Sequence, residues 1–246
     1  MIDTQIIFRV QIIYNPPFSL FREYMKVLIE YEKKFLIIGS QNNITYKEIF
    51  PLIKENKLWI GYKSGDMAFT VPDSYEPRET RYWQDETGQK WRSLGNICWF
   101  TNLDVQKRHE DMVMYKSYNE EEYPHFDNYN AINVNKVSEI PLDYEGTMGV
   151  PITFLDKYNP EQFEIEGITL GNTVDYPMTR IYNNAIQHNK NGSTQGGSKV
   201  NTRAALLVSR KPKDVVYYTA DGVDGYLLSV YPRILIRRKG AKQNAD

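Results

Sequence analysis

The chain has 246 residues and a mass of 28.8 kDa, with 41% hydrophobic and 25% charged residues, which fits a soluble globular protein of one domain plus a smaller one. Mean hydropathy is -0.56 and no apolar run approaches the ~20 residues a membrane helix needs; the Met1 to Tyr14 stretch carries Asp3, Gln5, Arg9 and Gln11 and lacks the cleavage site of a signal peptide. One cysteine, Cys98, and three histidines, His109, His125 and His188, exclude a disulfide framework and offer no metal-ligand spacing, so a cytoplasmic protein without a metal is expected. The net charge of -1 is unevenly spread: residues 180–246 hold 12 basic residues against 4 acids, and residues 1–179 are left at -9. A basic end on an acidic body fits either a nucleic-acid face or ordinary solvated surface.

Residues 6–14 (IIFRVQIIY) read as a buried strand of a parallel sheet, stopped at Asn15-Pro16-Pro17-Phe18. Ser19 is a candidate cap for a helix with Phe21, Tyr24, Met25, Leu28 and Ile29 on one face. Residues 35–38 read as a second buried strand ended by Gly39. Residues 45–55 follow as a helix that Pro51 kinks or divides. Segments 58–62 and 67–72 read as a strand pair around 63–66, a turn at 87–89 lies between Trp83 and Trp91, and 96–101 is a further strand. The order implies an α/β doubly wound sheet that gives way to antiparallel pairing at one end.

Residues 104–150 are rich in Asn, Tyr, Asp and Glu and lack periodicity, so they read as a long irregular segment; its aromatics argue against disorder. Strands are expected at 151–155, 163–170, 204–209, 215–219 and 231–237. A flexible loop is expected at 189–200, a hairpin turn at Gly222–Gly225 and a frayed tail at 240–246.

The chemistry concentrates at Asn15-Pro16-Pro17-Phe18. A strand before it and a helix after it place it at the carboxyl end of a strand, where open α/β sheets bind ligands. The prolines stiffen the turn and leave the Asn15 side-chain carbonyl and the Pro16 backbone carbonyl to accept both hydrogens of an exocyclic amine. Held this way, the nitrogen lone pair points at an electrophile. Phe18 offers a stacking face, worth ~1–3 kcal/mol in base–aromatic contacts, and a base in a duplex has to be flipped out to reach it. The structural alternative is a proline turn with Phe18 in the core.

These four residues resemble the catalytic motif of amino-methyltransferases acting on adenine in DNA. The longer stretches 15–62, Cys98 to Asp104, 123–165 and Tyr231 to Arg237 are similar to the EcoRI-type adenine-specific DNA methyltransferase family, while 167–230 resembles it least. The resemblance implies a site-specific, restriction–modification type enzyme that transfers a methyl group from S-adenosylmethionine to adenine N6 in double-stranded DNA. It also implies that Asn15 and Pro16 hold the amine, Pro17 stiffens the turn and Phe18 stacks on the adenine, with no metal and no covalent enzyme intermediate. The implied architecture is a partial Rossmann-like methyltransferase sheet over 1–103, followed by an irregular, β-rich target-recognition region over 104–246.

The family's cofactor motif, a glycine-rich turn after a first strand, precedes the Asn-Pro-Pro-Phe motif, whereas only 14 residues precede Asn15. Gly146 to Gly149, Gly171-Asn172, Gly196-Gly197 and Gly222 to Gly225 do not follow a buried strand and open a helix. The chain therefore reads as the C-terminal part of a longer or split enzyme, with its cofactor-binding residues unassigned, and it is expected not to methylate DNA alone. DNA-contact candidates are Asn128, Asn130, Asn133, Asn135 and Lys136, and Arg210, Lys211 and Lys213. An Asn pairs with adenine through two hydrogen bonds, although for any one of these Asn residues a turn cap bonded to backbone is the favoured reading. Arg78, Arg81, Lys107 and Arg108 are further phosphate candidates, whereas Cys98, His109 and His125 have no partners at useful spacing. Competing readings are an enzyme acting on a glutamine amide or an RNA adenine, and a non-catalytic DNA-binding remnant.

Overall fold

In a computed structural model, residues 11–171 and 175–240 are described, so the expected strand residues 6–10 and the tail 241–246 lie outside them. The chain divides into two units, Met1–Gln106 and Lys107–Asp246. Both are β-rich with mixed strand directions, and the α-helices among the described residues are few.

In the first unit, β1 (Gln11–Tyr14) runs parallel to β2 (Lys34–Ser40), from Gln11 against Lys34 to Tyr14 against Ile37. The connection holds a short 3-10 turn, Phe18–Leu20, and helix α1 (Phe21–Glu30). The expected apolar face is present: Phe21, Met25 and Leu28 are buried at spacings of four and three. Ser19 is not the cap; it lies inside the 3-10 turn, and Leu20 starts α1 without a side-chain cap bond. The helix ends in a Schellman arrangement. Glu32 takes a positive φ of 47°, the Glu32 N–H donates to the Ile29 carbonyl and the Lys33 N–H to the Leu28 carbonyl.

β2 does not end at Gly39 but runs through it. The glycine serves packing: a Cβ there would stand 2.5 Å from Cε2 of Phe21, whose ring lies 4.8 Å from that of Phe100. Helix α2 is short (Phe50–Lys54), and Pro51 falls in its first turn, where a missing N–H costs nothing, so it starts the helix rather than kinking it. A 3-10 turn, Gln41–Thr45, occupies the start of the expected longer helix.

The expected pair at 58–62 and 67–72 is one twelve-residue strand, β3 (Trp59–Thr70). Its register against a later strand shifts between Ile60 and Ser64 and again between Gly65 and Met67. Gly65, at φ +90°, is a bulge residue rather than a hairpin corner. β4 (Tyr82–Gln84) and β5 (Lys90–Thr101) form the hairpin expected around 87–89. Asp85 holds its turn, accepting from the Thr87 and Gln89 N–H groups, the Thr87 hydroxyl and Trp91 Nε1, and these bonds lower its pKa, with the Thr87 and Trp91 side chains contributing most. The strand order is β1-β2-β5-β3, with β4 also on β5. Among the described strands of this unit the β1–β2 pair alone is parallel, so antiparallel pairing, expected at one end of a doubly wound sheet, makes up the rest of it. β1 is outermost among the described strands, and Ile13, expected within a buried strand, is 69% exposed.

The second unit begins irregularly, as expected of 104–150, and aromatic anchors tie it down. Tyr123, Phe126 and Tyr129 are buried; the Tyr123 hydroxyl donates to the Glu139 carbonyl at 2.8 Å and that of Tyr129 to the Gly171 carbonyl at 2.7 Å. A four-stranded sheet comprises β6 (Ile132–Asn133), β7 (Met148–Pro151), β8 (Phe163–Ile168) and a strand near the chain's end. A five-stranded antiparallel sheet comprises β9 (Ile186–His188), β10 (Thr194–Gly196), β11 (Ala205–Val208), β12 (Tyr217–Thr219) and β13 (Tyr226–Ser229) in the order β10-β9-β12-β13-β11. The late strand, β14 (Arg233–Arg238), lies between β7 and β8. The strand expected at 151–155 ends at Pro151 and continues as a 3-10 turn, Ile152–Lys157. The segment 189–200, expected as a loop, contains β10 and the start of another 3-10 turn. Gly222 and Gly225 take positive φ in the β12–β13 hairpin.

Candidate functional site

Asn15 follows directly on the carboxyl end of β1. Pro17 holds φ -52° and ψ 128°, and its carbonyl accepts from the Leu20 N–H at 2.9 Å, which locks the turn into the 3-10 segment before α1. Pro16 is buried, Asn15 is exposed, and Phe18 is 40% exposed rather than in the core. Among the described residues no hydrogen bond occupies the Asn15 amide or the Pro16 carbonyl. Two acceptors therefore stand beside an open aromatic face.

All four motif residues line a cavity of about 840 Å³, within the range of about 300–1,000 Å³ typical of small-molecule sites. Its other walls are Ile38, Phe69, Val71, Tyr75, Arg92, Leu94 and Trp99. The sheet explains this set. Ile38 stands opposite Trp99 on the β2–β5 ladder, Phe69 opposite Arg92 and Met67 opposite Leu94 on the β3–β5 ladder, so the walls come from one sheet face. Sequence reasoning missed them. Strict alternation from Arg92 and Leu94 points away from Trp99, and Asn96, at φ +55°, together with the register shifts, restores Trp99 to their face. Pairs at i and i+2, such as Phe69 with Val71 and Arg92 with Leu94, are the signal that could have found part of the set.

Aromatic rings continue beyond the cavity. Tyr75 stacks on Tyr82 at 6.4 Å, and the Arg78 and Arg92 guanidinium groups each lie 6.0 Å from the Tyr75 ring centre. Arg81 pairs with Asp66 at 2.9 Å.

The candidates in the second unit separate sharply. Asn128 is fully buried: its Nδ2 donates to the Arg203 carbonyl and its Oδ1 accepts from the Ala205 N–H, both at 2.8 Å. It joins the irregular segment to the start of β11 and leaves neither amide end for a base edge. Asn133 is also buried, accepting from Arg233 Nε at 3.3 Å and donating to Asn135 Oδ1 at 2.9 Å. Burial lowers the pKa of Arg233. Asn130, Asn135 and Lys136 are exposed, and Lys136 pairs with Glu139 at 3.1 Å. Arg210, Lys211 and Lys213 are exposed between β11 and β12, with Lys211 Nζ 5.9 Å from the centre of the Tyr217 ring that stacks on His188.

Several of the glycine candidates lie in strands or in a hairpin. Gly149 lies in β7, Gly196 in β10, and Gly222 and Gly225 in the β12–β13 hairpin. Among the described residues, neither α1 nor α2 follows a glycine-rich turn. Also among them, no group of three or more His, Cys, Asp or Glu is placed to hold a metal ion, and no helix is long and apolar enough to cross a membrane.

A family model described as adenine-specific methyltransferase EcoRI matches residues 9–239. The curated Type II methyltransferase M.EcoRI of Escherichia coli is 56% identical over 158 residues, which are 63% of this chain and 48% of that protein. M.MgeORF184P of Mycoplasma genitalium is 42% identical over 163 residues and M.MpnI of Mycoplasma pneumoniae 41% over 160, each alignment covering 63% of this chain and 50% of the relative. The chain spans about half the length of the curated relatives it matches. No solved structure gives a significant match.

Proposed function

The chain belongs to the EcoRI family of adenine-specific methyltransferases, and from that premise we propose that it carries the adenine-binding part of an enzyme that methylates N6 of adenine in double-stranded DNA. The observation that carries this reading is the cavity at the end of β1, lined by Asn15 and Pro16, whose acceptors have no hydrogen bond among the described residues, and by the partly exposed Phe18.

In this reading the target adenine leaves the duplex and stacks on Phe18. The Asn15 side-chain carbonyl and the Pro16 carbonyl accept the two N6 hydrogens and draw the nitrogen lone pair out of conjugation with the ring. Phe69, Tyr75 and Trp99 exclude water from the opposite side. S-adenosylmethionine, when bound, supplies a methyl group on a positively charged sulfur. The new N6–C bond forms as the S–C bond breaks, and the N6 proton passes to solvent. The chain's own contribution is positioning and polarisation. Exposed Asn130, Asn135, Lys136, Arg210, Lys211 and Lys213 remain the proposed DNA contacts, while Asn128 and Asn133 act as internal struts. The described residues do not present a glycine-rich site for the donor, so the proposal includes a donor-binding segment outside them, in a Rossmann-like sheet that β1 would join.

The test begins with selection of duplexes from a random pool by the purified chain, followed by S-adenosylmethionine titration and methyl transfer on the selected duplex, with and without the N-terminal portion of a curated relative. The expected results are sequence-preferring, salt-sensitive binding and transfer once the donor portion is present. Asn15→Ala should reduce that transfer at least about a hundred-fold, as loss of one preorganised polar contact does elsewhere. Selection of no sequence, or full transfer by Asn15→Ala, overturns the reading.

A further inference from the structure

Arg92 has no counterpart in the amine-holding chemistry, yet it lines the same cavity. It lines the large cavity with Asn15 to Phe18, and it also lines a smaller one of about 370 Å³ with Phe18, Arg81 and residues 93–97. Phe18, Arg92 and Leu94 are thus common to both cavities, and Arg92 is the one cation among them. The Arg92 Nη1 is buried and has no hydrogen-bond partner among the described residues, and no carboxylate pairs with its guanidinium there. The Tyr75 ring lies 6.0 Å from that guanidinium. A buried guanidinium N–H without an acceptor is costly and uncommon in a folded protein. An unpaired fork beside an aromatic face matches the geometry by which arginine takes a phosphate through two parallel hydrogen bonds.

Resting on the adenine reading above, we propose that Arg92 binds the phosphodiester next to the extrahelical adenine and so acts as a positioning residue. The base occupies the large cavity against Phe18, and its phosphate reaches the smaller one. Arg81, neutralised by Asp66, sets a weaker positive rim. The anion is identified by its chemistry, and a second source of the same chemistry is the carboxylate of the methyl donor.

The experiment pairs a protein change with a DNA change. The full chain and Arg92→Ala bind the duplex selected above, either unmodified or with a neutral methylphosphonate replacing a single phosphate on each side of the adenine in turn. Neutralising one of these linkages should weaken the wild-type chain about ten-fold and leave Arg92→Ala unchanged, so the two losses do not add. Arg92→Lys should recover part of the affinity, because it restores the charge without the fork. Flipping, read from 2-aminopurine fluorescence at the target position, should fall in Arg92→Ala together with affinity.

Additive losses at every flanking linkage overturn the inference and leave a packing role on Tyr75. Loss of S-adenosylmethionine affinity with additive DNA effects overturns it in favour of the donor carboxylate. Failure of the wild-type chain to select any duplex removes the adenine reading and this inference together. Equal melting temperatures of the two proteins show that misfolding does not cause the losses.

Discussion

Asn128 separates a structural role from a recognition role more cleanly than any other residue in the second unit. Substitution by Ala removes two hydrogen bonds of 2.8 Å and leaves the Arg203 carbonyl and the Ala205 N–H without partners in a region where Asn128 itself has no exposure. An orphaned buried polar group costs about 1–3 kcal/mol, so the pair is worth about 2–6 kcal/mol. For a protein of this size 1 kcal/mol moves the melting temperature by about 2–4 °C, and Asn128→Ala should melt at least about 4 °C and up to about 24 °C below the wild type. Asn130→Ala is the control: that side chain is exposed, and its loss should stay within about 0.5 kcal/mol. Melting is followed by far-ultraviolet circular dichroism, and DNA binding is measured well below both transitions. Wild-type melting of Asn128→Ala together with lost sequence preference would refute the reasoning and return Asn128 to the recognition surface.

Gly39→Ala places a methyl group 2.5 Å from the Phe21 ring, which in turn packs on Phe100, and should destabilise the first unit by about 1–3 kcal/mol in urea unfolding; an unchanged midpoint would mean that α1 shifts freely on the sheet. Burial pushes the Tyr129 phenol up to about 12, against about 10 in an unfolded chain. Its contribution is whole below about pH 10 and is lost as pH rises toward 12, because the unfolded chain then releases a proton the folded chain keeps. Tyr129→Phe should therefore fall below the wild type by a constant amount up to about pH 10, and the gap should narrow above it; a gap constant to pH 11.5 would contradict the burial argument.

Local signals in the sequence carried the parts of the site that depend on local chemistry. Two adjacent prolines after an apolar run mark a stiff turn at a strand's end, and Asn15 to Phe18 do line a cavity there. The cavity's far wall depends on register. Gly65 and Asn96 look like turn residues, and Gly65 led to two strands where one bulged strand stands. The extra residues instead lie between Ile60 and Ser64 of β3 and, beside Asn96 with its positive φ, between Leu94 and Ile97 of β5, and the second of these carries Trp99 to the face of Arg92. A pattern of period two does not reveal where a bulge resets it. Gly39 misled for a related reason: a glycine in an apolar run reads as a stop, but here it admits the Phe21 ring.

The asparagines show why residue type alone does not assign a site. Asn15 and Asn128 carry the same amide, and the sequence makes Asn15 the amine-holding residue and Asn128 one candidate DNA contact among several. Asn128 lies within a folded segment with a strand beside it, so backbone groups 75 and 77 positions away claim both of its ends. Asn15 follows an outermost strand whose neighbour among the described residues lies on one side alone, and it precedes two prolines that have no N–H to offer it. The two residues that follow Asn15 therefore offer its side-chain carbonyl no N–H. A polar group with no hydrogen bond among the described residues, in the lining of an aromatic cavity, is available to a ligand; an identical group consumed by its own chain holds the fold.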